Sequence, residues 1–281
     1  VICGDGNDTA IGNSGDDRIL CGDGDDIAIG GGGNAIIRGG DGDDNIKGGS
    51  GNDRIFGDKG DDTIDGGKGN DVIRGDKGDD LIRGAKGDDV IRGGQGNDML
   101  FGDGGDDVLY ANGGTTLLDG GSGEDILVGG KGNDTFVIAE VDSTTTILNF
   151  NAKGEDILQF ESLEFDDLDI SQFGNDTLIQ VDDENLAVLI NVNASTVTED
   201  VIVTLNGDRD SSNDDSDDSD DDKDTSTLVG TRDDDVFVIN NIDSTVTQIL
   251  NFNVQGADIL QFESLEFDDL NILQSDDATV N

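Results

Sequence analysis

Gly57-Asp58-Lys59-Gly60-Asp61-Asp62-Thr63-Ile64-Asp65 is followed without a break by Gly66-Gly67-Lys68-Gly69-Asn70-Asp71-Val72-Ile73-Arg74. The two nonapeptides align position for position. Read outward in both directions, the same unit fills residues 3 to 137 as fifteen copies in one register. A fixed period this short is the mark of a solenoid, in which each unit buries its apolar residue only by stacking on its neighbours. The fourth residue is Gly in all fifteen copies, as at Gly6, Gly60, Gly96 and Gly132. A turn that needs positive φ explains that, because only Gly adopts it without a Cβ penalty. The eighth residue is apolar throughout, from Ala10 and Ile19 through Ile64 and Ile73 to Leu127 and Phe136. Its neighbours are mixed, as with Thr63 and Asp65 around Ile64, which is the alternation of a short half-buried strand. Each unit therefore predicts a turn followed by a three-residue strand. Two units make an eighteen-residue coil, with two thin parallel sheets facing each other across the eighth positions.

The sixth residue is Asp in thirteen copies: Asp8, Asp17, Asp26, Asp44, Asp53, Asp62, Asp71, Asp80, Asp89, Asp98, Asp107, Asp125 and Asp134. In such a coil the turns of alternate units stack at about 4.8 Å, the strand spacing, so each edge becomes a ladder of carboxylates and turn carbonyls. Stacked carboxylates repel one another. Oxygen ligands on loops suit Ca²⁺, which takes about 6–8 of them.

The unit, written Gly-Gly-x-Gly-x-Asp-x-U-x with U apolar, resembles the hemolysin-type calcium-binding repeat of the RTX proteins. The resemblance implies an all-β fold: a right-handed parallel β-roll of nonapeptides with β-rich modules after it. It also implies several Ca²⁺ ions, each between turns n and n+2, held by the sixth-position Asp and by main-chain carbonyls of the Gly-rich turn. That assigns the metal to the thirteen Asp residues just named. Two copies depart from the pattern, with Ala35 and Thr116 in the sixth position. Fifteen turns then offer about thirteen sites, of which about nine keep both Asp partners. The resemblance further implies a secreted protein exported by type I secretion machinery.

Composition agrees with a cation partner. Asp and Glu number 65 against 16 Lys and Arg, a net charge of −49, which drives a compact state apart unless counter-ions bind. A disordered acidic chain would lack the regular apolar eighth position. Nucleic acid is not an expected partner, for want of a basic patch. Arg38, Arg74, Arg83 and Arg92 fall at ninth positions, where surface pairing with outward carboxylates is expected rather than a binding stripe. No apolar run approaches the roughly 18 residues of a membrane span, and no N-terminal signal peptide is read. Val1-Ile2 reads as the end of a preceding repeat, so the chain is expected to begin further upstream. Cys3 and Cys21, one coil apart in the first position of their copies, leave two readings open: a disulfide across one edge, or two small residues where Gly usually sits.

Four segments follow from these patterns: the calcium-binding roll at 1–137, a β-rich cap at 138–205, a disordered acidic linker at 206–227, and a second, apparently truncated copy of the cap at 228–281. Ile259 to Leu270 repeats Ile157 to Leu168 residue for residue. The linker contains Asp210-Ser211-Ser212-Asn213-Asp214-Asp215-Ser216-Asp217-Asp218 and almost no apolar residue. The chain has no His, which removes Ser-His-Asp triads, His-ligated zinc and HExxH sites. No catalytic residue is assigned, and no enzyme is expected within these residues. The expected function is calcium binding with calcium-dependent folding of a secreted protein or its C-terminal part. Two alternatives stand beside it: a folding module of a larger extracellular enzyme or toxin, and a structural or adhesive cell-surface protein with an unidentified surface or polysaccharide partner.

Overall fold

The computed structural model describes residues 1–139, 143–204, 227–229, 236–239, 248–250 and 259–262. The chain divides into two units, Val1–Thr204 and Leu205–Asn281. In the first, strands alternate between two sheets of 12 and 10 strands, so every second strand along the chain is a neighbour in one sheet. Pairing through the repeats is parallel and steps by one coil: Ile64 lies opposite Ile82, and Ile82 opposite Leu100. Identical units can pair in register for as long as the period holds, and here it holds for fifteen copies.

The strands are longer than three residues. Thr63–Lys68 and Val72–Lys77, like the other strands from Thr9–Ser14 to Val108–Gly113, have six. They run from the seventh position of one unit through the third of the next, past the first two glycines. Stacked identical turns continue the hydrogen bonding there despite the positive φ of the second residue, as at Gly67 and Ala85. The Val72 N–H donates to the Asp53 carbonyl and the Gly60 N–H to the Lys77 carbonyl, each at 2.9 Å.

All fifteen eighth positions are buried, Ile37, Ile55, Ile73, Ile82 and Ile91 completely. Each such side chain contributes about 1.5–3 kcal/mol, enough to hold the thin core only because it recurs in every unit. The fourth-position glycines have φ between 88° and 136°. A Cβ on Gly78 would collide with the Gly60 carbonyl oxygen one coil away. Most second positions also have positive φ, and those that fall at 71–82° accept Asp58, Asp76, Ala85 and Asn112.

Strands continue both sheets beyond residue 137. Thr145–Leu148 and Glu184–Leu189 extend the larger sheet, Ile157–Phe160 and Ile202–Thr204 the smaller. An antiparallel meander of Asp169–Phe173, Asp176–Val181 and Glu184–Leu189 forms the edge of the larger sheet, covering an otherwise open row of backbone groups. Phe136 meets Phe150 edge to face at 5.8 Å where the last repeat joins this segment.

In the second unit, Thr227–Val229 pairs with Gln248–Leu250 and Val236–Ile239 with Ile259–Phe262, both parallel. Leu228 opposite Ile249 and Phe237 opposite Leu260 reproduce the register of Leu127 with Ile147 and Phe136 with Leu158. The expected acidic linker, 206–227, lies outside the described residues except for Thr227.

Candidate metal centre

The sixth-position side chains turn inward behind the turns. From Asp26 to Asp134 those that are Asp are 0–2% exposed, and Asp8 and Asp17 are half-buried. From Asp26 onward, one carboxylate oxygen of each is spoken for. The Asp53 N–H donates to Asp71 Oδ1 at 2.7 Å, and the Asp71 N–H to Asp89 Oδ1 at 2.7 Å. The same bond links Asp26 to Asp44, Asp44 to Asp62 and Asp62 to Asp80 on the other edge. The roll thus has two ladders, each carboxylate from Asp26 onward receiving the backbone N–H of the coil before it.

The other oxygen is not spoken for. Oδ2 of Asp17, Asp26, Asp44, Asp53, Asp62, Asp71, Asp80, Asp89, Asp98 and Asp107 is buried without a hydrogen-bond partner. Buried polar atoms are almost always paired, so ten orphans of one kind at one repeat position need a common cause. What surrounds them is defined by the first-position glycine. A Cβ on Gly48 would lie 2.5 Å from both Asp53 Oδ2 and the Gly66 carbonyl oxygen. One on Gly66 would lie 2.6 Å from Asp71 Oδ2 and 2.9 Å from the Gly84 carbonyl oxygen. The absence of a side chain leaves a hollow lined by a carboxylate oxygen and a main-chain carbonyl of the next coil. These are acceptors facing acceptors, the donor set of a hard cation. Among the described residues no three His, Cys, Asp or Glu side chains gather into a metal-holding group. The ladder explains why: each hollow has one orphan carboxylate oxygen, and the rest of its oxygens must come from the main chain.

Burial raises the pKa of these carboxyls, to about 6 for Asp44, Asp89 and Asp134, about 7 for Asp62, Asp71, Asp98 and Asp107, and about 8 for Asp80. Loss of solvation is the largest cause, backbone N–H bonds oppose it, and ladder neighbours add to it, as Asp89 and Asp53 do at Asp71. Without a cation the ladder resists carrying its charge near neutral pH.

Both departures from the pattern keep the backbone rung but lose the carboxylate. Ala35 N–H donates to Asp53 Oδ1 at 2.6 Å, and Thr116 N–H to Asp134 Oδ1 at 3.2 Å. Thr116 Oγ1 is itself buried without a partner. Its unit also has Ala111 in the first position, so the hollow loses its carboxylate and gains a methyl group together. Cys3 and Cys21 are free thiols, and burial, then the neighbouring Cys3 and Asp26, push the Cys21 thiol up to about 12.

Two features escaped the sequence reading. Asp156 is a further rung: its Oδ1 accepts from Asp134 N–H at 3.0 Å, and it is 2% exposed. Asn151-Ala152-Lys153-Gly154-Glu155-Asp156-Ile157-Leu158-Gln159 spells the unit, with Gly fourth, Asp sixth and Leu eighth. Its signal is a step of 22 rather than 18 residues from Asp134. Unlike most rungs, Asp134 and Asp156 have Oδ2 satisfied, by the N–H of Gly130 and of Asn151, each at 2.7 Å. The fifth position forms an exposed second ladder running the opposite way. Asn70 N–H donates to Asn52 Oδ1 at 3.0 Å and Asp79 N–H to Asp61 Oδ1 at 2.8 Å. Asn or Asp fills that position in thirteen of the fifteen copies, which is the signal that could have found it.

Two edges of inward Asp and side-chain-free hollows on a parallel solenoid define a calcium-type β-roll. Comparison agrees: a family model described as the RTX calcium-binding nonapeptide repeat matches in overlapping windows from residues 4–37 to 101–136. Residues 4–136 belong to that family. Among solved structures, the extracellular lipase LipA from Serratia marcescens matches at 24% identity over 60% of this chain, with a TM-score of 0.31. This chain spans 40% of that lipase's length. A search of curated proteins gave no match.

Proposed function

We propose that the chain is a secreted calcium-binding roll, or the roll-bearing part of a secreted protein, and that its folding is coupled to calcium. One observation carries the reading: ten buried Asp Oδ2 atoms stand without partners, and six of them, on Asp17, Asp44, Asp53, Asp62, Asp71 and Asp107, share a glycine hollow with a main-chain carbonyl of the next coil. Calcium would supply the positive charge that this all-acceptor lining lacks. Of the thirteen sixth-position Asp residues from Asp8 to Asp134, the ten with an orphan Oδ2, from Asp17 to Asp107, would hold it most directly, while Asp134 already has both oxygens hydrogen-bonded. Asp156 would close the ladder by hydrogen bonds alone, since both its oxygens are engaged.

The chain's own groups set the coupling. Each rung places its carboxylate only when the coil before it presents an N–H, so a hollow exists only between stacked coils. Metal binding and stacking then become one cooperative process. Extracellular modules bind in the range of about 10⁻⁴–10⁻³ M, so the chain stays loose at low cytosolic calcium and folds outside the cell. Far-UV circular dichroism of the chelated protein tests this during a Ca²⁺ titration with Mg²⁺ as control. A cooperative gain of β signal with Ca²⁺ alone is expected. A chelated protein already fully β at neutral pH, unchanged by Ca²⁺, would sink the reading.

A further inference from the structure

The outer face of the larger sheet carries a feature that calcium binding does not use. An open trough of about 890 Å³ runs across its strands from Leu20 and Cys21 to Asn112. Arg38, Lys59, Arg74, Lys77 and Arg92 line it, against Asp41, Asp58 and Asp76. In a chain of net charge −49 this surface has an excess of positive charge. Arg38, Lys59 and Arg74 are paired, with Asp58, Asp41 and Asp76 respectively. Among the described residues Lys77 and Arg92 have no carboxylate partner, and the Arg92 guanidinium lies 4.6 Å over the Tyr110 ring instead.

The cations are stacked in a way that folding alone does not reward. Arg74 lies directly opposite Arg92 in the sheet register, and Lys59 opposite Lys77. Like charges one strand apart, about 4.8 Å, repel each other. Arg38 and Arg74 flank Phe56 and so lie two strand spacings apart, about 9.6 Å. The floor between them lacks side chains at Gly40 and Gly94, and Gln95 and Asn112 add amide groups along one wall.

We propose that this trough binds a linear acidic polysaccharide, lying along the roll axis across the strands. Its carboxylates face Arg74, Lys77 and Arg92. Its hydroxyls face Gln95 and Asn112, and its rings lie over the glycine floor. The periodic cations match a polymer whose charge recurs on the scale of one or two sugars. Single-stranded nucleic acid suits the site less well, because the aromatic faces of Phe56 and Tyr110, on which its bases would stack, are covered by Arg38 and Arg92.

The proposal rests on the calcium reading in one respect. Residues 3–137 carry 29 carboxylates and 12 basic side chains, a net −17, which repels any polyanion from a distance. About nine bound divalent ions would cancel that charge and leave the trough as the dominant local field. Binding is therefore expected only in the calcium-loaded state.

The test uses the full chain and a fluorescent hyaluronan hexasaccharide, with anisotropy read at fixed free Ca²⁺. Circular dichroism on the same samples reports whether the roll has folded. Saturable binding to the folded chain, weakening steeply with salt and absent for a neutral glucan hexasaccharide, is expected. Arg92→Gln should weaken it about tenfold, and Lys77→Gln with Arg92→Gln should abolish it. Lys68→Gln, on the other sheet, should leave it unchanged. A chain that folds with Ca²⁺ but does not bind the acidic glycan overturns the trough proposal and leaves the calcium reading standing. Failure to fold with Ca²⁺ removes both. Equal binding of the neutral glucan, unchanged binding by the double variant, or tighter binding of single-stranded DNA overturns it as well.

Discussion

Acidification should fold the calcium-free chain. In the roll the Asp44 carboxyl is pushed up to about 6, Asp71 to about 7 and Asp80 to about 8, chiefly by burial. In the unfolded chain the same groups titrate near 3.9. The folded value is the higher one, so below about pH 4 both states are protonated and these groups do not oppose folding. As pH rises from there through the folded values, the unfolded chain ionises first and the roll is progressively destabilised. A shift of about three units, as at Asp71, corresponds to about 4 kcal/mol. Several such carboxyls outweigh the roughly 5–15 kcal/mol that hold an ordinary domain together. The chelated chain should therefore be largely unfolded at pH 7.5 and gain β signal by pH 5, still above its isoelectric point of about 4.1. Acid also reduces overall self-repulsion, so two substitutions of equal charge separate the causes. Asp71→Asn, buried at the ladder, mimics protonation. It should move the acid folding midpoint upward while raising the Ca²⁺ concentration needed at pH 7.5. Asp61→Asn, exposed on the fifth-position ladder, should leave both midpoints nearly unchanged. If the chelated chain has the same β content at pH 5 and 7.5, or if the two substitutions shift the midpoint equally, burial of these carboxylates does not govern the calcium-free state.

The glycines, the last rung and the broken unit give separate predictions. Gly78→Ala should cost more than the about 1–3 kcal/mol of a strained φ, because its Cβ also meets the Gly60 carbonyl; thermal unfolding in Ca²⁺ reads the loss. Asp156→Asn should lower thermal stability by about 1–3 kcal/mol, having engaged both its oxygens, without changing the number of ions bound by equilibrium dialysis. Ala111→Gly with Thr116→Asp restores a hollow and its carboxylate, and should add about one or two bound Ca²⁺ per chain. An unchanged count would contradict the sixth-position assignment.

The roll was legible because its two structural residues, the fourth-position Gly and the apolar eighth residue, recur at a constant interval. Ile64 and Ile82 announce their pairing by sequence spacing alone. The inward Asp positions were legible for the same reason. What escaped depends on contacts between coils rather than on residue type within one. Asn52 and Asp61 look like ordinary turn residues until the stacking supplies the N–H of Asn70 and Asp79. Asp156 was hidden by a change of interval after Asp134, although its unit keeps the Gly and Leu that mark the pattern. The trough escaped because neither the strand register nor the lack of a partner for Arg92 can be seen in a list of ninth-position residues.

The two rungs that end one edge, Asp134 and Asp156, have consequences for the order of assembly. Their carboxylates are satisfied by N–H groups of their own turns, whereas rungs nearer the N-terminus, from Asp17 to Asp107, wait for a charge from outside. The C-terminal end of the roll is thus the part whose rung carboxylates are satisfied without metal. It offers a finished surface, Phe136 and Leu158 already paired in register, on which the next coil can settle. On the proposed calcium coupling, growth from that surface would run against the direction of the chain, the coils packing from the C-terminal end back toward the N-terminus. The roll would then behave as a polymer with a built-in seed, and calcium concentration would set how far the seed extends.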